Sequence, residues 1–158
     1  MNNIKDLKNL NQKKILLRLD LNVPLKKGLI ADQTRIDKIL PTIKFLLQKN
    51  SKILIISHVG RPEGKVNKDL SLNQICKNLE KKINIKIKLI YEDIFELKKE
   101  DLFKDPKDKV IFLENIRFYK EEEENDLNFS KQLAGLADLY VNDAFSCSHR
   151  AHASIRSE

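Results

Sequence analysis

Tryptophan is absent from this chain of 158 residues, glycine occurs only 4 times, and cysteine only 2 times. So little glycine leaves no G-x-G-x-x-G fingerprint and no G-x-x-x-x-G-K-[ST] loop, so a dinucleotide-binding Rossmann domain is not expected. Cys76 and Cys147 have neither the number nor the spacing of a disulfide framework or a zinc site. Free thiols without an export signal point to the cytosol. No apolar run approaches the roughly 20 residues that a membrane helix needs. The chain is polar from Asn2 onward, without the apolar core of a signal peptide.

Charge is not scarce, but it is unconcentrated. Lys and Arg number 30 against 23 Asp and Glu, a net charge of +7. The lysines are scattered, with no basic arm. Aromatics are only 6% of the chain, too few for stacking platforms on single-stranded nucleic acid. No G-x-S-x-G and no Ser-His-Asp order is evident. His58, His149 and His152 fall in different loops without a supporting Cys or carboxylate spacing, so no metal site is expected. A structural hydrogen bond is the expected role of His152. The acidic run Glu121–Glu124 reads as a solvated loop.

What the chain does have is a set of short apolar runs that end in polar residues. Residues 53–62 read ILIISHVGRP. The β-branched start suits a strand buried on both faces of a parallel sheet. An imidazole and a guanidinium follow where that strand ends, and open α/β sheets bind ligands beyond the carboxyl ends of their strands. The pattern recurs. Lys14–Leu19 runs into Asp20 and Asn22. Val110–Leu113 is followed by Arg117, and Leu139–Val141 by His149 and Arg150.

Helical stripes separate these runs. Ile36, Ile39, Leu40, Ile43, Leu46 and Leu47 mark a helix within 32–50, capped by Asp32. Pro41 inside it predicts a kink or two abutting pieces. Residues 71–74 read as a capping box opening a helix striped by Leu72, Ile75, Cys76, Leu79 and Ile83. Ile85–Ile90 alternates like a strand near a sheet edge. Short helical pieces are expected within 92–105. A helix capped by Asn125 or Asp126 is expected to reach about Ala137. The alternation predicts an α/β domain: a doubly wound parallel sheet, three-layered and Rossmann-like.

A parallel sheet would bring all these exits to one edge. Arg35, in the first turn of the helix after Asn22, would join them, although a cation there opposes the helix dipole. Converging guanidinium forks suit phosphate and carboxylate. The residues alone therefore predict a cytosolic domain with a basin for a small phosphorylated, carboxylated molecule, and name no reaction.

The same residues resemble the phosphoglycerate kinase family, specifically its N-terminal, phosphoglycerate-binding domain. The matching stretches are RLDLNVPL at 18–25, TRI at 34–36, PTIKFLL at 41–47 and SHVGRPEG at 57–64. They continue with LENIRFYKEEEEND at 113–126, LADLYVNDAF at 136–145 and HRAHAS at 149–154. The resemblance implies that residues 1–154 form the substrate-binding domain and that 155–158 depart from the family pattern. The family continues into a nucleotide-binding domain that binds MgATP or MgADP; no nucleotide or metal site is expected within this chain.

The resemblance implies reversible phosphoryl transfer between 1,3-bisphosphoglycerate with ADP and 3-phosphoglycerate with ATP, in glycolysis. It assigns Asp20 and Asn22 to the glycerate hydroxyl and carboxyl end. His58, Arg61, Arg117 and Arg150 would hold the non-transferring phosphate. Arg35 would stabilise the phosphoryl group in flight. Leu21, Val59 and Gly60 complete the implied substrate site. The complete enzyme would be a cytoplasmic monomer that engages neither nucleic acid nor membrane. This chain alone would be inactive. The alternative is a stand-alone, non-catalytic binder of small phosphorylated acids.

Overall fold

A computed structural model describes residues 9–19, 25–26, 29–30, 34–57, 64, 71–116, 119–120 and 126–143. Five strands form one parallel sheet: β1 (Lys14–Leu19), β4 (Lys52–Ile56), β5 (Ile87–Ile90), β6 (Val110–Leu113) and β7 (Leu139–Asp143). Their order across the sheet is β5-β6-β4-β1-β7. A small antiparallel pair, β2 (Leu25–Lys26) and β3 (Leu29–Ile30), stands apart from it. Three helices are described: α1 (Thr34–Gln48), α2 (Asn73–Ile83) and α3 (Leu127–Ala134).

The central strands are apolar on both sides because both sides are covered. Ile15, Leu17 and Leu19 of β1 join Ile53, Ile55, Val110 and Phe112 in one core, with Ile36, Ile39, Ile43 and Leu46 of α1 and Ile75 and Leu79 of α2. Leu16, Leu54, Ile56, Ile111 and Leu113 point the other way. They form a second core with Phe129 and Leu133 of α3 and with Ile94. Helices thus cover both faces of a parallel sheet, the expected doubly wound, three-layered arrangement. The strand expected over 85–90 forms over Ile87–Ile90 and lies at an edge. The helical pieces expected within 92–105 are 3-10 turns at Ile94–Glu96 and Lys99–Asp101.

Local chemistry sets several boundaries. Asp126 caps α3, its carboxylate accepting the Phe129 N–H at 3.0 Å. The helix stops at Ala134, short of the expected Ala137. Asn84 closes α2 in the left-handed conformation, φ 55°, which asparagine tolerates.

Two expectations are corrected. Of the kink or two abutting pieces expected at Pro41, the second is overturned: α1 runs through Pro41 as one helix. Pro41 lies on the exposed side, where water can serve the carbonyl that the missing N–H leaves behind. The expected capping box at 71–74 is replaced by another cap. Leu72 takes the N-cap position without a side-chain bond of its own. Ser71 Oγ accepts the Asn73 N–H at 3.2 Å, and the Leu72 N–H goes to a distant glutamate, Glu114. The cap on Asp32 and the loop at 121–124 lie outside the described residues.

Candidate functional site

Because β1, β4, β6 and β7 are mutually parallel, their carboxyl ends share one edge of the sheet. Leu19 ends β1 in register with Asp143 of β7, and Arg18 is in register with both Ile56 and Asn142. Residues 20–22 follow Leu19 directly, 58–61 follow Ser57, and 117 follows Ile116. Asp20, Leu21, Asn22, His58, Val59, Gly60, Arg61, Arg117 and Arg150 themselves lie outside the described residues, as do His149 and His152.

Arg35 is described. It is the second residue of α1 and is exposed. The end of α1 is tied to the opposite edge of the sheet, where the Gln12 N–H donates to the Asn50 carbonyl at 2.9 Å and Ser51 Oγ to the Leu10 carbonyl at 3.2 Å. A helix of 15 residues spans roughly 22 Å, so its first turn reaches the edge where the strands exit.

Hydrogen bonds join these exits directly. The buried Ser57 Oγ donates to the Leu19 carbonyl at 2.7 Å, tying the end of β4 to the end of β1. The Ser57 carbonyl accepts the Ile116 N–H at 3.1 Å, tying β4 to the segment after β6. Ile116 in turn accepts the Tyr119 N–H at 3.2 Å. Glu114 receives Ser71 Oγ at 2.6 Å, the Leu72 N–H at 2.7 Å and the Asn115 N–H at 2.9 Å. Asn115 is fully buried between these segments.

Gly64 adds a close approach. Its φ is +74°, a conformation that side chains disfavour. A Cβ there would stand 2.6 Å from the Cβ and 2.8 Å from the Cα of Lys120. Backbone meets backbone at this point, and only glycine fits.

Sequence patterns attached no role to Ser57, Gly64, Glu114 or Arg18. Arg18 is a fully buried arginine near the end of β1, on the side of the sheet opposite Leu17 and Leu19 by strand alternation. Its apolar flanks, Leu17 and Leu19, make the run look like an ordinary buried strand. The Ser57 hydroxyl was hidden for the same reason, at the end of an apolar run.

Cys76 is chemically quiet. It is buried in α2, and burial pushes its thiol well above the ordinary range, with Glu114 and Glu80 adding to the shift. Among the described residues no group of His, Cys, Asp and Glu could hold a metal ion. No helix among them is long and apolar enough to cross a membrane.

Residues 4–157 match the family model described as phosphoglycerate kinase. The chain belongs to the phosphoglycerate kinase family. The phosphoglycerate kinase of Wolbachia pipientis wMel is 52% identical over 155 residues, covering 97% of this chain and 39% of that protein. That of Dictyoglomus turgidum is 50% identical over 145 residues, covering 92% of this chain and 36% of its own length. The structure of phosphoglycerate kinase from Coxiella burnetii superposes with a TM-score of 0.83 at 38% identity, over 96% of this chain and 37% of that one. The Pyrococcus horikoshii enzyme gives 0.85 at 29% identity, over 99% of this chain and 40% of that one. The chain thus spans about two fifths of the length of the phosphoglycerate kinases it matches.

Proposed function

We propose that this chain supplies the phosphoglycerate-holding half of the phosphoglycerate kinase reaction. In that reaction a phosphoryl group passes reversibly between 1,3-bisphosphoglycerate and ADP, giving 3-phosphoglycerate and ATP. Membership of a kinase family supports the reaction class. The observation that carries the assignment to this half is the shared edge. The exits of four parallel strands, which the sequence follows with Asp20, Asn22, His58, Arg61, Arg117 and Arg150, lie at the same edge of the sheet.

In this reading Asp20 and Asn22 orient the hydroxyl and carboxyl end of the glycerate, with Leu21, Val59 and Gly60 against it. His58, Arg61, Arg117 and Arg150 hold the phosphate that stays. Guanidinium groups do this through paired, charge-assisted hydrogen bonds. Arg35 neutralises charge on the phosphoryl group in flight, the electrostatic contribution on which phosphoryl transfer most depends. Its place in the first turn of α1 costs the helix some dipole energy, which a bound anion offsets.

The nucleotide and its magnesium are substrates held by the other half of the family's architecture, outside residues 1–154. The domain therefore binds phosphoglycerate without turning it over. Catalysis needs two halves to close on the substrates and exclude water. The complete enzyme is a cytoplasmic monomer in this reading.

An NMR titration of the chain with 3-phosphoglycerate, repeated on Arg61→Ala, tests this. The expected result is a saturable shift centred on the strand exits, with the affinity reduced by at least about tenfold in the variant. No saturable shift in a folded sample would overturn the reading. ATP-dependent phosphorylation of 3-phosphoglycerate by the chain alone would overturn the division into halves.

A further inference from the structure

The segments after β4 and β6 are fastened to one another on both sides of the arginines they carry. Ahead of Arg61, the Ser57 carbonyl accepts the Ile116 N–H at 3.1 Å, and Ile116 immediately precedes Arg117. Beyond Arg61, Gly64 lies against the backbone of Lys120, which follows Arg117 within the same segment. Ser57 also reaches β1, donating its hydroxyl to the Leu19 carbonyl at 2.7 Å, next to Asp20. Ser57 is fully buried, so this hydroxyl bond is shielded from competing water.

We propose that Ser57 and Gly64 are positioning residues that clamp the two arginine-bearing segments together and thereby fix the geometry of the anion site. The inference rests on the phosphoglycerate-binding reading above. Neither residue offers a group to substrate in this role. Ser57 acts through the Leu19 and Ile116 peptides, and Gly64 through the absence of a side chain.

The physical case is that each fastening point is hard to replace. Removing the Ser57 hydroxyl leaves the buried Leu19 carbonyl without that donor. Placing a methyl on Gly64 forces either the backbone at Lys120 or the left-handed turn to move, because the clash is with main chain and Cβ rather than with a flexible tip. Groups that bind an anion by forked hydrogen bonds tolerate little displacement, since their donors must converge on the same oxygens.

The test compares 3-phosphoglycerate affinity, by calorimetry, with unfolding midpoint in urea for Ser57→Ala and Gly64→Ala. Leu10→Ala serves as a destabilising control, being buried at the far edge of the sheet. The expected result is at least about a tenfold weaker affinity for Gly64→Ala and several-fold for Ser57→Ala, against less than about twofold for Leu10→Ala. If Gly64→Ala does not fold, Ser57→Ala carries the same comparison. On an Arg61→Ala background the Ser57→Ala effect should shrink, because one of the groups it positions is gone while Arg117 remains.

Unchanged affinity in both variants of a wild type that binds overturns the clamp alone. So does an equal loss in Leu10→Ala, or a full effect that persists without Arg61. A folded wild type that shows no binding overturns the phosphoglycerate reading itself, and the clamp with it.

Discussion

Glu114 caps a helix to which it does not belong: its carboxylate accepts the N–H of Leu72 at 2.7 Å, across a sequence separation of 42. The other oxygen takes the hydroxyl of Ser71 at 2.6 Å. A carboxylate at the start of α2 meets unpaired N–H groups and the positive end of the helix dipole at once. The same residue begins the segment that leads to Arg117. One side chain therefore links the start of α2 to the exit of β6.

Glu114→Ala should lower stability by about 1–2 kcal/mol, the usual range for losing a side-chain cap. Glu114→Gln should cost less, because one amide oxygen still accepts. Urea unfolding reads both. The midpoint should fall while the slope stays unchanged, as for a native-state loss without a change in exposed surface. An unchanged midpoint for Glu114→Ala would mean that water replaces the cap without cost.

The contrast between this cap and the expected one shows what the sequence could and could not reveal. Strand runs such as Lys14–Leu19 and Val110–Leu113 were legible to the residue, because a strand buried on both faces needs a largely apolar run. The α3 cap was also legible, narrowed to Asn125 or Asp126, because the accepting carboxylate lies only three residues from the donor N–H. Glu114 was not, since its partners lie on another element and only the folded sheet brings them near. Ser57 and Gly64 were hidden for the same reason. The strand ends that precede the candidate anion residues were legible, and the parallel strand directions place those ends on one edge. What holds the exits to each other is tertiary and left no local pattern.

Asp138 governs a second linkage, at the opposite edge of the sheet. Its carboxylate accepts the Lys14 N–H at 2.8 Å and the ammonium of Lys99, while its own N–H donates to the Lys14 carbonyl at 2.7 Å. The hydrogen bond from Lys99 holds its pKa below the ordinary carboxylate value, with the Lys14 N–H contributing next. A lowered folded pKa stabilises the native state above the unfolded value and loses that contribution as pH falls through the folded one. Asp138→Asn should therefore melt lower than wild type at neutral pH, and the two should converge as pH falls through the lowered folded-state pKa. The gap should be small, since the pair is partly exposed and salt screens it. A gap that widens toward acid would refute the assignment.

The Cys76 thiol should be inert in the native state. Its burial raises its pKa and also blocks access, and both suppress the reactive thiolate. In a Cys147→Ser background, a thiol reagent at about pH 8 should label Cys76 only as fast as the protein unfolds. The rate should rise with urea in parallel with global unfolding. Rapid labelling without denaturant would show that α2 opens locally.

Phe129 anchors the second core from α3. It is fully buried, with the ring of Tyr119 at 5.3 Å and that of Phe95 at 5.8 Å, both tilted. Tilted aromatic contacts of this spacing add to what burial alone supplies. Tyr119 also accepts the Ile94 N–H through its hydroxyl at 2.9 Å, and its own N–H goes to the Ile116 carbonyl. Phe129 thus braces the residue that closes the segment carrying Arg117. Phe129→Ala should cost about 3–5 kcal/mol, and Phe129→Leu markedly less, because leucine refills most of the volume but loses both ring contacts. Calorimetric melting distinguishes the two. If Phe129→Leu were as damaging as Phe129→Ala, the ring contacts rather than the filled volume would dominate. The ordering of the segment after β6 would then depend on the aromatic triad itself.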